Sequence, residues 1–252
     1  MGTPFDEHAA RWQAYTSSPW GRLRYTLVGR TLAGLGSELG PAPWRVLDVG
    51  GGDGLDAVPL VAAGHDVVVV DPSPGLLTGA AATGATTVAG GLEDLARSPG
   101  HGSHDLVLCH FVLHYRPDLE ADLDRLVAAA RPGGLVSVVA PNPHGMVLAA
   151  LVRSGPQAAL AQLSAATART VTFDTDVRKL EVDTVAAALG ARGCAVVSHT
   201  GGRVANDLVA DDALKEDPEW YAALVELEVA LHDREPFRRT GAYWHLVVRT
   251  PV

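Results

Sequence analysis

Cysteine is nearly absent from this 252-residue sequence, which has only Cys109 and Cys194. Two are too few for a disulfide framework and they lack metal-ligand spacing, so both read as small buried hydrophobes in a reducing, cytoplasmic setting. Long apolar runs are missing too. Runs such as residues 67–70 and 126–130 fall far short of the ~20 residues that a bilayer span needs, which predicts a soluble chain with no membrane partner. Residues 1–11 carry Asp6, Glu7, His8 and Arg11 and no apolar stretch followed by a small-residue cleavage site, so export is not expected. Asp6 also stands where a lipidation signal wants Ser or Thr. Positive charge is in deficit: the formal charge of -9 argues against indiscriminate nucleic-acid binding, for which a basic footprint is required. It leaves room for local basic groups, and Arg22, Arg24 and Arg30, with Arg234, Arg238 and Arg239, suit solvated faces. No repeat and no low-complexity block divides the chain. With 47% hydrophobic and 19% charged residues, it has the apolar mass for one substantial core, and a single domain over residues 1–252 is expected.

What is present is an alternation. Residues 5–38 read as helical, an N-terminal lid, with a break at 17–21 where Ser, Pro and Gly cluster. The β-branched run at 45–49 suits a buried parallel strand. A helix at 55–63, a strand at 65–71, a helix at 74–82 and a strand at 86–89 follow. Strand 105–109, helix 119–130 and strand 134–140 complete the series. Pro59 falls where a helix interior is expected, which destabilises that helix unless it kinks or starts late. Residues 142–191 form a helical excursion after the fifth strand. Strands at 195–199 and 243–249, with helix 219–231 between them, close the chain. The succession predicts an α/β fold: a Rossmann-like, seven-stranded, mostly parallel sheet with helices on both faces and an antiparallel terminal strand.

Val46-Leu47-Asp48-Val49-Gly50-Gly51-Gly52-Asp53-Gly54 ends the first strand in a glycine-rich turn. Its glycines let the backbone turn tightly and approach a ligand at the carboxyl edge of the sheet. A dinucleotide fingerprint wants a further glycine or alanine where Leu55 stands. Asp48, two residues before the first glycine, would repel a pyrophosphate but suits the ammonium of a methionine moiety. Asp71, followed by Pro72, closes the next strand, where a carboxylate accepts from ribose hydroxyls. These features point to S-adenosylmethionine, and hence to a methyltransferase. Gly91-Leu92-Glu93-Asp94 falls where backbone amides would meet an adenine edge, and His110 follows the fourth strand and faces the reaction centre. Arg131-Pro132-Gly133-Gly134 reads as a structural turn.

More specific marks run over nearly the whole chain: Gly21-Arg22-Leu23-Arg24, the glycine turn, His110-Phe111-Val112-Leu113, Asn142-Pro143-His144-Gly145 and Thr200-Gly201-Gly202-Arg203-Val204. A tail at 221–245 adds a Leu-Glu-Leu-Glu-like core and Glu235-Pro236. With these the chain resembles the bacterial tRNA 5-carboxymethoxyuridine methyltransferases, which convert the carboxylate of a modified wobble uridine to its methyl ester with S-adenosylmethionine. The resemblance implies that Arg24 holds the cofactor carboxylate. Gly50, Gly51, Gly52, Asp71, Pro72, Leu92, Glu93 and His110 complete its site, and Arg203 orients the substrate carboxylate. A guanidinium fork matches a carboxylate bidentately. Two departures bear on the substrate. Residues 162–178 hold only Arg169 and Arg178 where the family carries a lysine-rich run, removing phosphate contacts that RNA affinity draws on. Pro19 and Trp20 also lengthen the loop at 15–24 by about one residue, which bears on the shape of the pocket.

Methyl transfer is an in-line displacement at a sulfonium, so the protein's task is to hold nucleophile, carbon and sulfur collinear with water excluded. A carboxylate is ionised at neutral pH and needs no base. An amine, phenol or acidic carbon needs one, and His110, His114, His144 and Tyr243 are the candidates. Three readings follow: esterification of a tRNA wobble nucleotide, methylation of a small molecule at oxygen, nitrogen or carbon, and non-catalytic binding of S-adenosylmethionine. His101, His104, His110 and His114 cluster in sequence without recurrent ligand geometry, so no metal is expected.

Overall fold

A computed structural model describes residues 9–169 and 175–252. Its strands are β1 (Arg45–Val49), β2 (Asp66–Asp71), β3 (Thr86–Ala89), β4 (His104–His110), β5 (Ala130–Pro141), β6 (Thr167–Arg169), β7 (Asp176–Arg178), β8 (Ala195–Gly202) and β9 (Tyr243–Arg249). Seven of them form one sheet in the order β3-β2-β1-β4-β5-β9-β8. β3 to β5 run parallel, while β9 lies antiparallel between β5 and β8. This is the expected α/β, Rossmann-like sheet with its antiparallel terminal strand.

The strands are apolar on both faces because helices cover both, and the two-residue period sorts their side chains. Leu47, Val49, Val68, Val70, Val107, Cys109, Val136 and Val138 join one core, packed with Leu123 and Leu126 of α6 (Leu119–Ala129) and Val185 and Leu189 of α9 (Val182–Ala191). Val46, Val67, Val69, Leu106, Leu108, Leu135 and Val139 join the other. They meet Val28 and Leu32 of α2 (Pro19–Ala33), Leu60 of α4 (Ala57–Ala62) and Leu77 of α5 (Pro74–Ala82). The same parity puts Asp48, His110, Ser137 and His245 on this second face, a buried polar row crossing β1, β4, β5 and β9.

Prolines mark where helices begin. Ser18, Ser73, Asn142 and Asp217 each cap a helix through their side chain, and each is followed by proline at the first helical position. There the missing N–H removes no helical bond and the fixed φ suits the turn. The break expected at 17–21 is therefore a helix start: α1 (Ala9–Ser17) ends and, after the capping Ser18, α2 begins at Pro19. Pro59 is tolerated because α4 starts late, at Ala57, so the proline is its third residue, still among positions whose amide has no helical acceptor. α3 (Gly36–Leu39), α7 (Pro143–Ser154), α8 (Pro156–Ser164) and α10 (Pro218–Leu231) complete the helices.

The excursion at 142–191 is not helical throughout. β6 and β7 pair antiparallel within it, where Thr167, Thr175 and Val177 supply β-branched side chains that disfavour helix. The start of the expected N-terminal helix, residues 5–8, and residues 170–174 of the excursion lie outside the described residues. No helix among the described residues is long and apolar enough to cross a membrane.

Candidate active site

A cleft of about 680 Å³ opens at the carboxyl ends of β1 and β4, walled by the glycine turn, α1, α2 and the hairpin of β6 and β7. Gly50 adopts φ +68°, and a Cβ there would collide with Val112; a Cβ on Gly51 would collide with the Asp48 carboxylate. The turn is thus folded tightly over Asp48, which is 1% exposed. One of its oxygens, Oδ2, is buried without a hydrogen-bond partner. Burial first, then its neighbour Asp56, pushes the Asp48 carboxyl well above the ordinary carboxylate range. A buried acid in that condition calls for a cation, and the ammonium of the expected S-adenosylmethionine would be one. Asp71 is held by the amides of Gly52 (2.9 Å) and Ser73 (2.8 Å) at the end of β2 and lines the cleft. Pro72, Gly91 and Leu92 continue that wall. The Gly91 amide, expected at the adenine edge, donates instead to Asp94 (3.0 Å). Glu93 is exposed and pairs with Arg116 (3.0 Å), outside the cleft lining. The residues present fit the cofactor: an orphaned acid for its cation, a fixed acid for its ribose, and a narrow turn between them.

Arg24, buried in α2, is sandwiched between the rings of Tyr25 and Phe111, its guanidinium carbon 4.1 and 5.1 Å from their centroids. Its two terminal nitrogens donate to the two oxygens of Asp56 (3.2 and 2.6 Å). Its Nε is buried without a partner, so Asp56 leaves one donor of the guanidinium unused. Asp56 Oδ2 also lies 2.9 Å from His110 Nδ1, His110 Nε2 lies 2.9 Å from Ser137 Oγ, and Ser137 Oγ lies 2.7 Å from His245 Nε2. Both nitrogens of His110 are therefore engaged, although its ring lines the cleft.

The acceptor end is built differently. Arg203 follows the Gly201-Gly202 pair at the end of β8, where a Cβ on Gly202 would overlap the ring of Tyr243. Its Nε and Nη2 form a fork on Asp207 (2.6 to 3.0 Å), and its Nη1 donates to no acceptor among the described residues. Two non-glycine residues of the described chain have positive φ, Phe111 and Arg203, both at +57°. Both line the cleft, as stored backbone strain often does at a working site.

The remaining candidate bases lie elsewhere or are blocked. His144, at the start of α7, has a side chain 59% exposed and faces Glu181 at 3.7 Å, outside the cleft lining. Tyr243 is buried behind the cleft, edge-on to Phe111, and burial raises its hydroxyl above the ordinary tyrosine range. His114 does line the cleft, with Nδ1 buried and unpartnered. Burial alone lowers it to about 3, so it is a neutral hydrogen-bonding group.

Sequence reasoning missed Asp56, Ser137, His245, Asp207 and the Trp12 indole, which donates to Asp53 (2.9 Å) and ties α1 to the glycine turn. Ser137 and His245 carried a signal: each interrupts a strand buried on both faces, where a polar group must find a partner. Asp56 carried none, because its partners lie 32 and 54 residues away.

Residues 20–199 match a family described as a methyltransferase domain. The tRNA 5-carboxymethoxyuridine methyltransferase of Escherichia coli K12 is 30% identical over 238 residues, 92% of this chain and 89% of that one. A trans-aconitate 2-methyltransferase of Methylobacterium radiotolerans is 33% identical over 125 residues, 47% of each chain. Among solved structures, an S-adenosylmethionine-dependent methyltransferase of Thermotoga maritima, described as a possible histamine N-methyltransferase, superposes with a TM-score of 0.66. It is 15% identical, over 99% of this chain and 98% of that one. The plantazolicin methyltransferase with bound S-adenosylhomocysteine superposes at 0.62, with 14% identity over 98% and 91%. Likeness at such low identity bears on the fold.

Proposed function

The chain belongs to the S-adenosylmethionine-dependent methyltransferases, and on that premise we propose that it methylates a carboxylate held by Arg203. The observation that carries the reading is the open Nη1 of Arg203 in the cleft wall, in a site whose nominated bases are engaged, buried or remote. His110 has both nitrogens bonded, His144 lies outside, Tyr243 is buried, and His114, lowered by burial to about 3, is too weak a base. An acceptor that brings its own negative charge needs none of them. When bound, S-adenosylmethionine supplies a methyl group on a sulfonium, an electrophile that an ionised carboxylate attacks directly.

This chain's residues then have separate tasks. Asp48 faces the ammonium of the cofactor, Arg24 meets its carboxylate through Nε, and Asp71 takes its ribose. Gly50, Gly51, Gly52, Pro72, Leu92 and His110 shape the walls around it. Arg203 aligns the acceptor and, shared with Asp207, does so without leaving an unbalanced buried charge. The described part of the N-terminal segment, residues 9–38, acts as a lid, with Trp12 on Asp53 as its catch, and excludes water from the transfer. The enzyme works in the cytoplasm, where its two free cysteines remain reduced.

For the acceptor itself, the Escherichia coli relative's name supports a wobble nucleotide of tRNA. Purified protein, S-adenosylmethionine and tRNA from cells lacking the esterifying enzyme should give the methyl ester of 5-carboxymethoxyuridine by nucleoside mass spectrometry. Unchanged nucleosides would remove that reading. A small carboxylic acid is the second reading, favoured because the arginines around the cleft are matched by acids. Arg24 pairs with Asp56, Arg116 with Asp122 and Glu93, Arg169 with Asp176, and Arg203 with Asp207. That leaves little net positive field for a phosphate backbone. Labelled methyl transfer to a metabolite extract, with none to tRNA, would select it.

A further inference from the structure

The Leu-Glu-Leu-Glu-like stretch in α10 has a buried member, Glu228, which is 0% exposed. Its carboxylate lies under the loop that follows β8 and accepts three successive backbone amides: Val204 to Oε2 at 2.8 Å, Ala205 to Oε1 at 2.9 Å and Asn206 to Oε1 at 2.8 Å. Consecutive amides converging on one anion form a nest, a geometry that proteins commonly offer to an external anion. Here the anion is internal, and the nest begins at the residue immediately after Arg203.

That placement matters because Arg203 is the strained residue of the loop. Its φ of +57° is a left-handed conformation that a non-glycine residue keeps only when its surroundings hold it there. Three contacts do so. Glu228 pins the amides after it, the Arg203 carbonyl accepts from the Ala242 amide (3.3 Å), and Asp207, one turn on, holds its Nε edge. On the other side, Gly201 and Gly202 pack so closely on Arg238 and Tyr243 that a Cβ at either would overlap them. The backbone of Arg203 therefore cannot slide along β8, and its direction is set by the loop that Glu228 anchors.

We infer that Glu228 is the positioning residue for Arg203: by binding the amides of Val204, Ala205 and Asn206 it fixes the conformation that presents the Arg203 guanidinium to the acceptor end of the cleft. Its role in acceptor binding rests on the reading of Arg203 given above; its hold on the guanidinium does not. A carboxylate is required for this, since its two oxygens accept all three amides, whereas an amide side chain keeps one oxygen and turns an N–H₂ group toward donors.

Two measurements separate the inference from that reading. Crystal structures of the wild type and Glu228→Gln, each with S-adenosylhomocysteine, should show the Arg203 guanidinium displaced while the turn at Gly50 to Gly52 superposes. An unmoved guanidinium would overturn the inference whatever the acceptor. If Glu228→Gln does not fold, Glu228→Asp, which keeps the charge but withdraws it by one methylene, is judged by the same criterion. In steady-state transfer to tRNA bearing 5-carboxymethoxyuridine, the variant should raise the acceptor KM about ten-fold, the worth of a hydrogen bond to a charged group. The dissociation constant of S-adenosylhomocysteine should stay within about two-fold, because no cofactor contact changes. A parallel loss of cofactor affinity, or a fall in melting temperature with the guanidinium unmoved, would reduce Glu228 to a structural tie and overturn the inference. Arg203→Ala, measured alongside, tests the acceptor reading by itself: if it leaves KM unchanged while Glu228→Gln still moves the guanidinium, that reading fails and the positioning stands.

Discussion

Asp56 takes both terminal nitrogens of Arg24, at 3.2 and 2.6 Å, and the oxygen making the shorter contact also lies 2.9 Å from His110 Nδ1. One buried carboxylate thus sets the direction of two cleft residues that come from α2 and from the end of β4. It also leaves Nε of Arg24 as the guanidinium nitrogen without a hydrogen-bond partner.

Asp56→Ala should therefore cost about 3–5 kcal/mol of stability, the usual penalty for stranding a buried charge, measurable by denaturant unfolding. Asp56→Asn should cost less. Both should weaken S-adenosylhomocysteine binding in calorimetry, and unchanged affinity would show that Arg24 is positioned without Asp56. Burial alone would raise the Asp56 carboxyl, but Arg24 and then His110 outweigh it and hold the group below the ordinary range. Its stabilising contribution is then present above the unfolded value of about 3.9 and is lost as the pH falls below it.

Asp48 has the opposite sign. Its folded carboxyl titrates above the unfolded value, through burial and then Asp56. The cofactor-free protein consequently carries a penalty that grows as the pH rises above about 4. Asp48→Asn should raise the melting temperature of the cofactor-free protein at neutral pH, by an amount equivalent to about 1–3 kcal/mol. It should also lower S-adenosylmethionine affinity about ten-fold or more, since the ammonium loses a charged partner. Paired melting curves with and without cofactor check both. A variant that is less stable and binds equally well would contradict the assignment of Asp48 to the cofactor's cation.

Acid sensitivity should trace to buried histidines. His114 is lowered to about 3 by burial, and His245 is held well below its ordinary range by burial and then by His110. In the unfolded chain each takes up a proton near pH 6.5, so below that pH the unfolded state binds more protons. Stability then falls by up to about 1.4 kcal/mol per pH unit for each histidine. For His114 the loss continues to about pH 3. His114→Phe should make the stability curve between about pH 6 and 4 shallower by that amount. An unaltered slope would mean that His114 is protonated in the folded protein.

Two glycines should respond oppositely to alanine. Gly190, in α9, has open space where a Cβ would go, so Gly190→Ala should stabilise by up to about 1 kcal/mol through helix propensity. Gly202→Ala would drive a methyl into the Tyr243 ring, which is buried against Phe111. It should destabilise by about 1–3 kcal/mol and disturb the adjacent Arg203. Thermal melts of the two variants, with acceptor KM for the second, provide the check.

The alternation of short β-branched runs with helices, the glycine turn after Val49 and the helix start at Pro74 were legible because each depends on local geometry. Strands 86–89 and 243–249 and helix 74–82 coincide residue for residue with β3, β9 and α5. Asp48, Asp71 and the turn between them could be read as neighbours, and they line one cleft, because the strand ends that carry them must meet at one sheet edge. The β6 and β7 hairpin was hidden inside a stretch read as helical, since three-residue strands have too few residues to show a period. The pairings that decide the chemistry were not local at all. Arg24 on Asp56, Ser137 on His245 and the amides of 204–206 on Glu228 join residues between 22 and 108 positions apart. Their partners are chosen by which helix crosses over which strand. An isolated arginine or histidine in a sequence announces a charge or a proton, but only the packed fold determines which of its nitrogens remain open. Here that left Nε on Arg24 and Nη1 on Arg203, and neither nitrogen on His110.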